Sequence, residues 1–194
     1  GAVVVGKGKE RGDRIIEWAN VALAGRNFAW YSYRNDPVMV KIYAFNADAF
    51  VLVALNGNAE QQNNLKKGQV WSVSGDWMGK VIRITSTGGK IVVTQEANGA
   101  DYFQVPPAAA RVYGTCSQHC WISFATFSPG TQVLERCSDR NETTIYEPDG
   151  HGLVALGKGE VNYTGKACSW ASSKADSLLN GVSYADMDGG DGTS

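Results

Sequence analysis

Leu65-Lys66-Lys67-Gly68-Gln69-Val70 reads as L-x-K-G-[QE]-V, and Leu156-Gly157-Lys158-Gly159-Glu160-Val161 reads the same way in the second half of the chain. A second echo follows each copy: Asn98-Gly99-Ala100-Asp101 after the first, and Asn180-Gly181 with Ala185-Asp186 after the second. Self-similarity at a long spacing marks duplicated modules and sets the domain count before any local pattern is read. The chain around both copies is punctuated by 23 glycines, holds only 5 prolines, and carries 6 Trp and 8 Tyr. Such a composition predicts an all-β fold.

Outward from the first copy, Val38 to Phe45 and Ala49 to Leu55 are strong strands, the second apolar enough for burial on both faces. Gln69 to Ser74 alternates, and so does Lys80 to Ser86; Lys90 to Thr94 follows the turn Thr87-Gly88-Gly89. Outward from the second copy, Val112-Tyr113 and Cys120 to Ala125 match the aromatic strand around Trp30, and Thr131 to Cys137 matches the strand around Val51. Cys168 to Lys174 stands where Val81 to Ser86 stood. Short strands at this spacing predict a β-sandwich in each half. Asp13 is placed to cap one short helix over Arg14 to Leu23, stopped by Gly25. Pro106-Pro107 reads as the joint. The expected organisation is an N-terminal strand and helix over 1–25, a first sandwich over 26–105 and a second over 106–194.

A net charge of −1 gives no basic field for nucleic-acid phosphates or anionic lipid. No run approaches the roughly 18 apolar residues of a membrane-spanning helix. Nucleotide-loop, zinc-protease and serine-hydrolase motifs are absent, and Glu135, Glu142, Glu147 and Glu160 are scattered without evident pairing. The expectation is a chain without catalytic residues.

All four cysteines, Cys116, Cys120, Cys137 and Cys168, lie in the second half, as do the N-x-[ST] sequons at Asn141 and Asn162. Together they predict disulfides, glycosylation and an extracellular or cell-surface setting, with an intracellular organelle as the alternative. The preferred pairing is Cys116 with Cys120 and Cys137 with Cys168. A Cys₃His zinc set with His119 is the competing use of the same residues. Asp186, Asp188 and Asp191 are closely spaced on a glycine-rich stretch and form a candidate calcium loop, though the EF-hand register fails. Arg11-Gly12-Asp13 is an RGD triplet, better explained by the helix cap. Trp71 and Trp77 are candidate contact residues, for a carbohydrate stacked on an exposed ring or for a neighbouring subunit. Trp77 is favoured because it falls in a loop between Gly75-Asp76 and Met78-Gly79.

Leu65 to Val73, Gly79 to Ser86, Lys90 to Val93 and Gln104-Val105-Pro106-Pro107 resemble the repeated unit of the IgG-Fc-binding-protein N-terminal type of β-sandwich domain. That resemblance implies a non-enzymatic adhesive or matrix role. The resulting expectation is a structural protein, a repeating subunit of an extracellular filament, sheet or coat, or an adhesive module. Its partners would be further copies of itself or other matrix proteins, with no cofactor unless calcium binds. A carbohydrate-binding module and an intracellular shell or lattice protein are the alternatives. The N-terminal Gly1 to Val5 is expected to add to a neighbour's sheet edge.

Overall fold

The computed structural model describes residues 2–4, 18–32, 38–97, 101–115, 120–128, 130–156, 163, 165–174 and 178–185. In chain order the strands are β1 (Ala2–Val4), β2 (Trp18–Asn20), β3 (Asn27–Tyr31), β4 (Val38–Ala44), β5 (Ala49–Leu55) and β6 (Asn58–Leu65). They continue with β7 (Val70–Gly75), β8 (Val81–Gly88), β9 (Ile91–Ala97), β10 (Asp101–Val105), β11 (Arg111–Thr115) and β12 (Cys120–Thr126). The last are β13 (Val133–Cys137), β14 (Thr144–Tyr146), β15 (Leu153–Leu156), β16 (Ala167–Ser172) and β17 (Leu179–Ala185). The fold is all-β.

The helix expected over Arg14 to Leu23 is not seen in the part described. Residues 18–20 are a strand and Val21–Leu23 is a single 3-10 turn, while 14–17 lie outside the described residues. Asn20 caps the turn through its side-chain oxygen, which accepts from the Ala22 N–H at 3.0 Å. β2 pairs with β1 in the same chain, Ala2 against Asn20 and Val4 against Trp18, so the N-terminal strand already has a partner. Gln104 extends this pairing with its side chain. Its Oε1 accepts from the Asn20 N–H at 2.7 Å, and its Nε2 donates to the Asn20 carbonyl at 2.8 Å.

The chain divides into two compact units, residues 1–28 with 32–107 and residues 29–31 with 108–194. Two four-stranded sheets run in the orders β10-β9-β4-β7 and β3-β8-β5-β6. A further four-stranded sheet runs β11-β16-β13-β14, and a three-stranded one β15-β12-β17. β5 shows why the strands sit as they do. Ala49, Val51, Val53 and Leu55 are buried, while Phe50 is 38% exposed and Leu52 and Ala54 are half-buried. Period-two alternation places one set inward. The strand therefore buries one face rather than the two that its apolar run suggested.

Matching β3 to β9 with β11 to β17, in order, makes the two connectivities coincide. The order β3-β8-β5-β6 becomes β11-β16-β13-β14, and β9-β4-β7 becomes β17-β12-β15. β10 has no counterpart among the described residues. The likeness reaches single hydrogen bonds. Gly25 exchanges two backbone bonds with Ile91 (2.9 and 2.8 Å), as Ala109 does with Leu179 (both 2.9 Å). The Ser86 N–H donates to the Arg26 carbonyl at 2.8 Å, as the Ser172 N–H does to Ala110 at 3.0 Å.

This duplication is not the one the repeated motif pointed to. Leu65 ends β6, whereas Leu156 ends β15, the counterpart of β7. Ala44 faces Ile91 as Thr126 faces Leu179, so Val40 matches Ile122, and their partners Val73 and Leu156 match each other. Likewise β12 stands in the place of β4, not of the strand around Trp30. The expected matches of β13 with β5 and of β16 with β8 agree with the sheet order.

Candidate functional site

The least ordinary chemistry lies inside the second unit. Val133, Glu135 and Cys137 point inward from β13, alternating with Leu134 and Arg136. Glu135 is fully buried, and around it Ile122, Phe124, Val133, Val154, Leu156, Trp170 and Leu179 form one apolar cluster that draws on both sheets. Taking a carboxylate out of water costs several kcal/mol unless its lone pairs are filled. Here four donors reach it. Tyr163 Oη donates to Oε2 at 2.6 Å and Trp170 Nε1 to the same oxygen at 2.7 Å. Arg140 donates to Oε1 as a salt bridge, joined there by Tyr146 Oη at 3.3 Å. An ionised carboxylate has about four acceptor positions, so this one is saturated.

Each donor is delivered by a distinct device. Trp170 lies directly opposite Glu135 in the β13–β16 register. Its ring also meets Phe124 at 5.1 Å and Tyr163 edge-on at 5.7 Å between centroids. Tyr146 comes from β14, two residues beyond Thr144, the residue that faces Glu135. Arg140 and Tyr163 come from turns, which a surface ion pair ties together: Lys166 Nζ lies 2.8 Å from Asp139 Oδ2. That hydrogen bond holds the Asp139 carboxyl below its usual range. The Lys166 N–H closes the Tyr163 turn at 3.0 Å, and the Ser138 N–H donates to the Ala167 carbonyl at 2.9 Å.

Burial, then the hydrogen bond to Glu135, pushes the Tyr163 phenol well above its ordinary value of 10.0. Tyr146 is raised as well, mainly by burial. Both therefore act as fixed O–H donors at any physiological pH. The arrangement is suited to holding strands in place, because no oxygen of Glu135 is left for an external group.

The matching positions of the first unit are occupied differently. Val51 faces Ser86, Val53 faces Ile84 and Leu55 faces Ile82 across β5 and β8. The matching pairs across β13 and β16 are Val133 with Ser172, Glu135 with Trp170 and Cys137 with Cys168. The Val–Ser pair is common to both units, and where the first has two aliphatic pairs the second has one charge-assisted hydrogen bond and one covalent bond. Cys137 and Cys168 form a disulfide with Cα atoms 4.1 Å apart. This is one of the two pairings preferred from the sequence, and it removes Cys137 and Cys168 from the zinc alternative.

Among the other expected residues, Cys116, Asn162, Asp186, Asp188, Asp191 and the RGD triplet lie outside the described residues. Cys120 opens β12, with only its backbone described. Asn141 is exposed in the turn between β13 and β14. Thr143 of its sequon is exposed too, its hydroxyl accepting from Arg136 Nε at 3.0 Å. Trp77 does lie in a loop, but the residue is only 3% exposed and its ring folds back onto Gly75, where an added Cβ would meet Nε1 at 2.5 Å. A stacking platform needs an open ring face, so the contact role expected of Trp77 is corrected to packing. Trp71 is half-buried on β7. Among the described residues no three His, Cys, Asp or Glu gather to hold a metal ion. None of the described helices is long and apolar enough to cross a membrane.

Glu135, Arg140, Tyr146, Tyr163 and Trp170 do not stand out as a group in the sequence. One signal was present: Glu135 shares parity with Val133 and Cys137 in a strand, which turns an acidic residue toward the core.

At the surface, β6 is the longest exposed sheet edge among the described residues. It bonds only to β5 and is exposed from Asn58 to Gln62 and at Asn64. Its counterpart β14 spans only Thr144–Tyr146, is preceded by the Asn141 sequon and is followed by Pro148. No family of proteins, no curated protein and no solved structure was found to match this chain.

Proposed function

We propose that the protein is a non-enzymatic structural subunit of an extracellular assembly, built from two tandem β-sandwiches. The observation that carries this reading is the repeated two-sheet connectivity, in which one chain presents two unlike copies of one unit with open sheet edges. In the second unit a single buried cluster draws on both sheets, and the contact of Phe124 on β12 with Trp170 on β16 supports face-to-face packing there. The Cys137–Cys168 disulfide and the exposed sequon Asn141 support an oxidising, glycosylating compartment. Two similar faces on one chain favour head-to-tail addition, which yields open filaments or sheets when the rotation does not close.

Negative-stain electron microscopy of secreted protein, alongside light scattering across a concentration series, tests the reading. Regular filaments, sheets or shells are expected. A monodisperse monomer at the highest concentration reached would sink it.

A further inference from the structure

We propose that the basic end of the first unit, carrying Arg26, Lys66, Lys67 and Lys90, docks on the acidic β14–β15 turn of a second copy of this chain, at Glu147 and Asp149. This rests on the assembly reading above and names a head-to-tail contact for it.

Charge is divided unevenly along the chain. Residues 1–107 hold twelve Lys and Arg against nine Asp and Glu, a net of +3. Residues 108–194 hold six against ten, a net of −4. The overall net of −1 therefore conceals two halves of opposite sign. Halves of like sign repel and halves of unlike sign attract, so two copies meet first unit to second unit rather than like to like.

Interlocked turns gather the first unit's cations at one end. Between β4 and β5, Asp48 holds two neighbouring turns: its Oδ1 accepts from the Lys67 N–H at 2.9 Å, and its carbonyl accepts from the Gly89 N–H at 2.8 Å. Asn46 Oδ1 accepts from the Lys90 N–H at 2.7 Å. Arg26 donates Nε and Nη2 to the Gly88 carbonyl at 3.1 and 2.8 Å. The turns are close-set, since a Cβ on Gly89 would lie 2.4 Å from the Ala47 carbonyl oxygen. All four basic residues are exposed. Lys66 has a carboxylate partner, Asp48, at 2.8 Å. Among the described residues no carboxylate meets Arg26, Lys67 or Lys90, so three cations are fixed at their backbones and face outward without an anion.

The same turn is acidic in the second unit. β14 and β15 stand where β6 and β7 stand, so the turn holding Glu147 and Asp149 is the counterpart of the one holding Lys66 and Lys67. Both acids are exposed. Asp149 uses only Oδ1 on its own turn, accepting from the His151 and Leu153 N–H groups, each at 2.8 Å. Glu147 accepts from the neutral Gln132 amide. Both charges thus stay open to an outside cation. Lys174 is the one described cation at that end, and Arg111 leans away from it to Ser169 Oγ at 3.2 Å. The basic end could take any anion, but the chain itself supplies a matching acidic turn, at the concentration of its own partner. Because the two faces differ, each bound copy keeps one basic and one acidic face for further neighbours, as an open filament requires.

Two full-chain variants test the pairing. Lys67→Glu with Lys90→Glu reverses the basic end. Glu147→Lys with Asp149→Asn reverses the acidic turn and keeps a side-chain oxygen at the capping position. Light scattering at roughly 0.1 M salt should show association weakened about tenfold in each variant, with circular dichroism unchanged. Mixed in equal amounts, the two variants should assemble again, because each reversed face then meets a reversed partner. Native assembly should weaken between roughly 0.1 and 1 M salt, as the screening length falls from about 10 to about 3 Å. If the native chain assembles and either variant assembles equally, this contact is overturned while the assembly reading stands. If both variants fail and their mixture fails too, the basic end holds some other anion and the pairing is overturned. If the native chain stays monomeric, both readings fall.

Discussion

Glu135 and Trp170 face each other across two paired strands, and the indole Nε1–H donates to the carboxylate at 2.7 Å in the place where Val53 faces Ile84 in the first unit. A hydrogen bond to a buried charge contributes more than a neutral one, and its loss leaves an acceptor unsatisfied. Trp170→Phe keeps most of the ring and removes only the donor. Denaturant unfolding should show the second unit weakened by about 2 kcal/mol, with the first unit unaffected. Glu135→Gln should cost at least as much, because its amide N–H₂ meets donors instead of acceptors. The double variant should cost less than the sum of the two, since both act on one network.

The disulfide joins Cys137 and Cys168 across a sequence separation of 31 residues. Chain-entropy reasoning gives such a link about 3 to 4 kcal/mol. Differential scanning calorimetry with and without reductant should shift one transition strongly and leave the other in place. Substituting Cys137→Leu and Cys168→Ile, the residues at the matching positions of the first unit, should recover part of the loss. A reductant-insensitive profile would contradict the assignment.

Tyr146 and Tyr163 both have phenols raised above their ordinary value of 10.0. Between that value and the raised one, the unfolded chain binds fewer protons than the folded chain. Stability is therefore full below pH values near 10 and falls as pH rises beyond it. An ultraviolet titration should show these two phenols ionising last, together with loss of the second unit's circular dichroism. In Tyr163→Phe the late ionisation should shrink, at a cost in neutral-pH stability from one missing donor to Glu135.

Asn141 is exposed in a tight turn, and its sequon threonine faces solvent. Expression through a eukaryotic secretory route should give a chain that loses mass on treatment with a glycosidase specific for N-linked glycans. Asn141→Gln should abolish that part of the shift without moving the melting temperature.

The strands with a burial signal were legible in the sequence. Ala49–Leu55 is legible to the residue, because an unbroken apolar run carrying Val51 and Val53 is bounded there by the turn residues Asp48 and Asn56-Gly57. β6 was missed because an edge strand exposed along nearly its whole length shows no apolar period, and Asn and Gln ordinarily mark loops. β14, three residues between turns, carries too short a pattern to register. The helix expected over residues 14–23 shows the opposite error: Ile15, Ala19, Ala22 and Leu23 fit a helical period, yet Trp18–Asn20 pairs with Ala2–Val4. Long-range pairing overrode a local signal. The Glu135 site was illegible for a related reason. Its five members lie on three strands and two turns, and only the sheet register joins them.

Two copies of one connectivity in a single chain carry a hazard during synthesis, because a strand of one copy can enter the place of its twin in the other. The unlike inner stripes oppose that exchange. β13 seated against β8 would bury Glu135 beside Ile84, with no indole N–H to meet it, and would leave Cys137 facing Ile82 with no thiol to bond. β5 seated against β16 would orphan the Trp170 N–H and Cys168. Each wrong pairing strands a polar group in the core, so the chemistry that distinguishes the second unit also proofreads which strands belong together.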